Sequence, residues 1–162
     1  MKLSNSFIQS IAILVMLAEL PDKSYLKASE ISQRMGVSHT YLQKIAKKLK
    51  NADIIQSEAS KTGGYSLNKD AKDISFYDVF QAIETQESFL KNVKTDVIHT
   101  MFISDELVDK YGNLAVDILN TAENSYLEVL KNHSIEEIIP RDIDGSLLKI
   151  DWKLYLENTG DD

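Results

Sequence analysis

The 162-residue chain contains no cysteine. That absence excludes disulfides, thiol-based sensing and Cys–His catalysis. It also removes the thiolates that hold iron–sulfur clusters, since even the His-substituted kinds keep two cysteines. Long apolar runs are missing too, and nothing approaches the roughly 20 residues of a membrane span. The most apolar stretch, residues 7–17 (FIQSIAILVML), follows a single Lys2 and precedes no small-residue cleavage site, so it does not read as a signal-peptide core. Phe7, Ile8, Ile11, Leu14, Val15 and Ala18 instead make a broad helical face with Ser4 as N-cap, which predicts a buried scaffold helix in a cytoplasmic protein. Catalytic signatures are absent as well. His39, His99 and His133 lack metal-ligand spacing, and Gly63-Gly64 is turn chemistry without the Lys-Ser/Thr of a phosphate loop. An enzyme is not expected, and no metal or cofactor is called for.

What is present is ordinary in bulk, with 43% hydrophobic and 27% charged residues, enough for one domain with a core or a small domain plus an oligomerisation arm. The net charge of −7 argues against a nucleic-acid partner until the chain is divided. Residues 1–69 hold ten Lys/Arg against five Asp/Glu, whereas residues 70–162 hold eight against twenty. Such asymmetry points to a basic binding module on an acidic body.

The basic half is organised around residues 28–67. ASEISQRM places Ala28, Ile31 and Met35 on one helical face, Gly36 follows as a left-handed helix stop, and Ser38 stands as the N-cap of a second helix. Two helices joined by so short a turn form a helix-turn-helix. On the second helix Leu42, Ile45, Ala46, Leu49 and Ala52 share one side, and Thr40, Gln43, Lys44, Lys47 and Lys48 share the other. Hydroxyl and amide groups near the N-terminus with ammonium groups beyond suit base edges and phosphates respectively. A merely solvated face would look similar. The hairpin that follows favours the first reading. Ile54-Ile55 opens a strand, Ser60-Lys61-Thr62-Gly63-Gly64 turns, and Tyr65-Ser66-Leu67 returns, giving the winged-helix order with Lys61 at the wing tip.

With MKLS at the start, SHTYLQKIAKKLKNADII, GGYSL, ISFYDVFQAIE and the later SYLEVLKNHSIEEII, the chain resembles the Rrf-two (BadM-type) winged-helix regulators over roughly residues 1–139. The resemblance implies a DNA-binding transcription regulator, bacterial and dimeric. Ser38, His39, Thr40, Gln43, Lys44, Lys47, Lys48, Lys61, Gly63 and Gly64 are the expected DNA-facing residues. Two departures matter. The three cluster-binding cysteines of the family are missing from TQESFLKNVKTDVIHT, where His99 stands alone, and a wing Arg of some members is replaced by Ala59.

Beyond the wing, Ser75 and Asp78 form a capping-box pattern, and Phe76, Val79, Phe80 and Ile83 give one apolar face to close the core. Ser104 is a further N-cap candidate, and Gly112 is a site to break or kink the next helix. Ala115, Ile118, Leu119, Ala122, Tyr126, Val129 and Leu130 then form a stripe of about four turns. The resemblance makes this stripe, from Ala115 to Val129, the dimerisation face; packing back on its own domain is the alternative. Ser134 and Glu137 form a full capping box ahead of Pro140. In the tail, Asp144-Gly145 signals a turn, and the alternation of Ile150, Trp152, Leu154 and Leu156 with Lys149, Asp151, Lys153 and Tyr155 predicts a strand.

The sequence thus predicts a mainly α protein with a small β-wing: a winged helix-turn-helix domain over 1–86, a linker and dimerisation helix over 87–139, and a tail over 140–162. Its expected partners are double-stranded DNA and a second copy of itself, with no membrane. The expected activity is repression from a pseudo-palindromic operator. The regulating signal is a small molecule, a protein partner, or nothing beyond abundance. A second reading is a protein-interaction module whose acidic half and Trp152 tail bind a partner.

Overall fold

The computed structural model describes residues 3–84, 88, 90–91, 93–159 of the chain. The expected boundary at 86/87, the opening Met1-Lys2 and part of the segment 85–92 lie outside the described residues. Ser4 caps the first helix, α1 (Asn5–Ala18), by accepting from the Phe7 N–H at 3.3 Å. The helix is buried on most of its circumference, including Phe7, Ile13, Leu14, Met16 and Leu17. Ile8 departs from the predicted face and is 59% exposed, because a centrally packed helix is covered by neighbours from several directions and its open side need not follow one clean stripe.

The helix-turn-helix follows as α2 (Ala28–Met35) and α3 (His39–Asn51), with Gly36 in the predicted left-handed conformation at φ 66°. The wing is β1 (Ile55–Glu58) paired antiparallel with β2 (Gly64–Leu67), Ile55 opposite Leu67. Leu26 adds a short third rung: its N–H donates to the Tyr65 carbonyl at 3.0 Å and its carbonyl accepts from the Tyr65 N–H at 2.8 Å.

Helix α4 (Phe76–Ile83) starts at the predicted capping box. The Ser75 N–H donates to Asp78 Oδ2 at 2.8 Å, and Ser75 Oγ accepts from the Asp78 N–H at 3.0 Å. Val79, Phe80 and Ile83 are buried, while Phe76 is half-buried. Phe80 meets Phe7 of α1 edge-on at 6.2 Å and Tyr126 at 6.1 Å. The short helices α5 (Asp96–His99) and α6 (Asp105–Leu107) lead into a π-turn over Val108–Gly112 and the long helix α7 (Asn113–Lys131). The helical irregularity expected at Gly112 takes the form of a π-turn. Gly112 closes that turn with helical angles, and the missing Cβ admits the His99 ring, whose Cδ2 would lie 2.9 Å away. A 3₁₀ turn over Ile135–Ile138, set by the Ser134–Glu137 capping box, buries Ile135 against the main core.

The tail corrects the sequence reading. The Asp144-Gly145 turn is present, but Trp152–Thr159 is a helix, α8, and not a strand. Asp151 Oδ1 accepts from the Leu154 N–H at 3.1 Å, so the residue read as the polar half of an alternation is a helix-capping acceptor. Trp152 and Leu156, four apart, are the buried pair, and Leu154 points out. The tail is seated by the Ile150 N–H donating to the Glu19 carbonyl at 2.7 Å and by Lys149 Nζ donating to the Ala18 carbonyl at 3.1 Å. Among the described residues, no helix is long and apolar enough to cross a membrane.

Tail packing encloses Glu19, which is 5% exposed. Burial raises its pKa above the ordinary 4.5, an effect that the neighbouring Trp152 indole partly offsets, although the indole N–H makes no hydrogen bond of good geometry. The folded state therefore holds a proton that the unfolded chain releases. Stability contributed here is largest below about pH 4.5 and falls as pH rises through the higher folded value. Glu19→Gln is expected to raise Tm at pH 8 and to flatten the decline that begins above pH 4.5, leaving the acid Tm little changed. A lower Tm at pH 8 would mark the carboxylate as a stabilising partner.

Candidate nucleic-acid interface

Helix α3 is fixed in place before anything binds it. Ser38 Oγ accepts from the Tyr41 N–H at 3.2 Å at its start, and the Tyr41 hydroxyl shares a 2.6 Å hydrogen bond with Ser6 of α1. Leu42, Ile45, Ala46 and Leu49 are buried. At the C-terminal end Lys50 Nζ donates to Ser57 Oγ of β1 at 2.6 Å, a tie between helix and wing that no local pattern signals.

On the opposite side His39, Thr40, Gln43, Lys44 and Lys47 are all exposed. Their spacing of three and four makes them one continuous row. Neutral donors and acceptors occupy the first turns and ammonium groups follow, an order that lets base edges and phosphates be met together. Lys48 is brought into a different role: its Nζ donates to the Ile83 carbonyl at the end of α4, at 2.8 Å.

The wing tip presents Lys61 and Thr62, both exposed. The two glycines behind them are structural. The Gly63 N–H is directed inward to the Ser60 carbonyl at 3.1 Å, and a Cβ there would overlap the Glu58 carbonyl. Gly64 has φ +153°, and its Cβ would meet the Leu26 carbonyl at 2.5 Å. Glycine is what lets β2 approach Leu26 so closely.

The predicted dimerisation residues divide into two groups. Ile118 is 59% exposed, Val129 is 58% exposed, Leu119 and Ala122 are also exposed, and Ala115 is half-buried. Tyr126 instead turns inward against Phe80, with Leu127 and Leu130 packed on the same core. One side of α7 therefore holds the domain and the other carries an uncovered apolar stripe.

Residues 3–141 match the Rrf2 family, described as "Iron-dependent Transcriptional regulator". The chain is similar to YffB of Lactococcus lactis subsp. lactis, named as an HTH-type transcriptional regulator, with 35% identity covering 85% of this chain and 86% of the relative. It is also similar to YwgB of Bacillus subtilis, which bears the same kind of name, at 34% identity over 70% of this chain and 78% of that protein. Among solved structures, CymR, the global cysteine regulator of B. subtilis, superposes with a TM-score of 0.61 at 23% identity, covering 85% of this chain and 95% of that one. At that identity the likeness speaks for the fold.

The residues here do not fit the iron of the family description. There is no cysteine, and among the described residues no group of three His, Asp or Glu is placed to hold a metal ion. His99, in the segment where the family's cysteines fall, packs on Gly112.

The cap at Ser38 allows a direct check on how α3 is held. Ser38→Ala is expected to lower unfolding stability by about 1 kcal/mol in urea titrations, and Ser38→Asp to restore it. Equal losses in both variants would deny the hydroxyl its capping role.

Proposed function

The chain belongs to the Rrf2 family of DNA-binding transcription regulators, and from that premise we propose that it is a homodimeric repressor that reads a pseudo-palindromic operator without an iron–sulfur cluster. The observation that carries the reading is the exposed row from His39 to Lys47, mounted on a helix whose other side is buried. In this reading residues 1–86 bind DNA in the bacterial cytoplasm, residues 87–139 pair two subunits, and residues 140–162 are a tail on that frame.

Thr40, Gln43 and Lys44 read bases. Gln pairs bidentate with adenine and Lys reaches guanine acceptors. Lys47 and Lys61 hold phosphates, with Ser38 and His39 at the helix start and Gly63 and Gly64 shaping the wing. Lys48 joins them with the donors that its bond to the Ile83 carbonyl leaves free. The exposed stripe of α7 supports pairing through Ala115, Ile118, Leu119, Ala122 and Val129, with Tyr126 backing it from the core side. A lone chain leaves those apolar groups in water. Two recognition helices so joined would enter major grooves about one helical turn apart. A pure protein-interaction role is less well supported, because Trp152, the residue best suited to dock a partner, is buried against the chain's own helices.

Selection of bound fragments from the source genome at near-physiological salt tests the reading, and recovery of one dyad-symmetric site is the expected result. Random, salt-sensitive fragments alone would overturn sequence-specific binding by the ligand-free protein. On the recovered site Gln43→Ala is expected to cost about 1–3 kcal/mol, with little effect on random DNA. Lys47→Ala should weaken both alike and flatten the salt dependence by roughly one counterion. Light scattering supplies the second check: Ile118→Asp should convert a dimer into a folded monomer, and an unchanged mass would remove the α7 stripe from pairing.

A further inference from the structure

Helix α1 meets the recognition helix at its N-terminal end, through Ser6 and Tyr41. Fourteen residues of helix place its other end about 20 Å away. There a cleft of about 660 Å³ opens between the end of α1, the base of the wing and the tail. Leu17, Leu20, Leu67 and Leu147 contribute an apolar floor, and Lys23, Lys69, Lys72 and Lys149 contribute a cationic rim. Two carboxylates line the cleft as well, and each already has a cation: Asp70 pairs with Lys72 at 3.6 Å and Glu136 with Arg141 at 2.9 Å. Among the described residues, Lys23, Lys69 and Lys149 form no ion pair. Lys149 spends one donor on the Ala18 carbonyl and keeps the others. A second hollow of about 610 Å³ shares Lys23, Ser24 and Tyr25 and runs on to Glu58 and Thr62 of the wing and Asp151 and Lys153 of the tail. Lys23 thus borders both hollows, and it holds φ +59°, a left-handed conformation that non-glycine residues adopt uncommonly and that marks a position worth a functional reason.

We propose that this cleft binds a small organic anion, carrying phosphate or carboxylate, and that the tail conveys its binding to the helix-turn-helix. The volume lies in the range of small-molecule sites, and an apolar floor under a few placed charges is the chemistry such sites use. Its place at the far end of α1 separates it from the DNA-facing row. The chain of contact is short. The tail gives Leu147 and Lys149 to the cleft, and a few residues later Trp152 and Tyr155 hold the Arg34 guanidinium of α2 at 5.5 and 5.3 Å from their ring centres. Gln56, Ser66 and Leu67 make the same cleft part of the wing. The regulatory half of this proposal rests on the repressor reading; the binding half does not.

The test titrates the full chain with inorganic pyrophosphate and, separately, with citrate, each against chloride of equal ionic strength, and follows Tm. A saturable rise with one of them is expected, and which one names the anionic group. Half-saturation should move at least tenfold higher in Lys23→Gln/Lys69→Gln, both exposed positions, and stay unchanged in Lys44→Gln/Lys47→Gln. The bound anion should then shift operator affinity at least threefold in the native chain, and Arg34→Gln should keep anion binding while losing that shift. No saturable rise with either anion overturns the site, as does a rise abolished by the Lys44/Lys47 pair in place of the Lys23/Lys69 pair. Saturable binding without any change in operator affinity overturns the coupling. Failure to recover an operator leaves the Tm titration intact, so the site is decided even where the repressor reading falls.

Discussion

The Phe80 ring is the joint on which the arrangement turns. It is buried, and it meets Phe7 and Tyr126 edge-on, so one side chain of α4 locks α1 and α7 together. Edge-to-face aromatic pairs contribute about 0.5–1.5 kcal/mol each beyond the area they bury. The same seam is closed at the ends. The Glu84 carboxylate that follows α4 accepts both the N–H and the hydroxyl of Ser4, at 2.7 and 2.8 Å, where α1 begins. Since α1 also touches α3 through Ser6, α7 and α3 are joined through one packed unit. In the proposed dimer, the distance between the two copies of α3 would be set by the packing around Phe80.

The legible parts of the sequence were those whose signals are local. Gly36, Ser38 and the Ser75–Asp78 and Ser134–Glu137 boxes each specify a helix end within four residues, and all four appear as read. The buried side of α3 was legible because thirteen residues sample its period more than three times. The tail was misread because eight residues of alternating polarity also satisfy an i, i+4 helix. Asp151 decided between them as a cap, and the Ile150 N–H went to the Glu19 carbonyl at the end of α1. Roles that depend on distant partners could not be seen in advance. Lys48 bonds a carbonyl 35 residues away, Lys50 bonds the wing, and Gly112 makes room for His99. Lysines of one helical face look alike in sequence, and only the fold divides those tied down from those held out.

The segment that in the family carries cluster cysteines shows what replaces them here. Phe102 stacks on Tyr111 at 6.2 Å, the His99 ring rests on Gly112, and Ser88 Oγ donates to Glu123 Oε2 of α7 at 2.8 Å, so this segment is attached to α7 and its root by packing and a surface hydrogen bond. Around it Val93, Val97, Met101 and Ile103 remain exposed. A metal centre would fix such a loop through a few strong bonds. Van der Waals contacts and an exposed hydrogen bond hold it more weakly than metal–thiolate bonds would.

Where a signal can act is constrained by how α3 is held. Its start is capped by Ser38, Tyr41 is bonded to Ser6, Lys48 to Ile83 and Lys50 to Ser57. A helix fixed at both ends and along its buried side is preformed, so ordering it on demand is not an available switch. What remains adjustable is the attitude of the whole module, and two handles reach it: α7 through Phe80, and the tail through Arg34 of α2. The first handle is deep in the core, and moving it would break close packing at several contacts at once. The second is an exposed guanidinium laid over the buried Trp152 ring and the exposed Tyr155 ring at the edge of the core, a contact that small displacements of the tail can weaken. A ligand acts on an equilibrium only by its difference in affinity for the two states. The surface handle, set beside a cationic cleft, is where a modest difference of that kind has the least resistance to overcome.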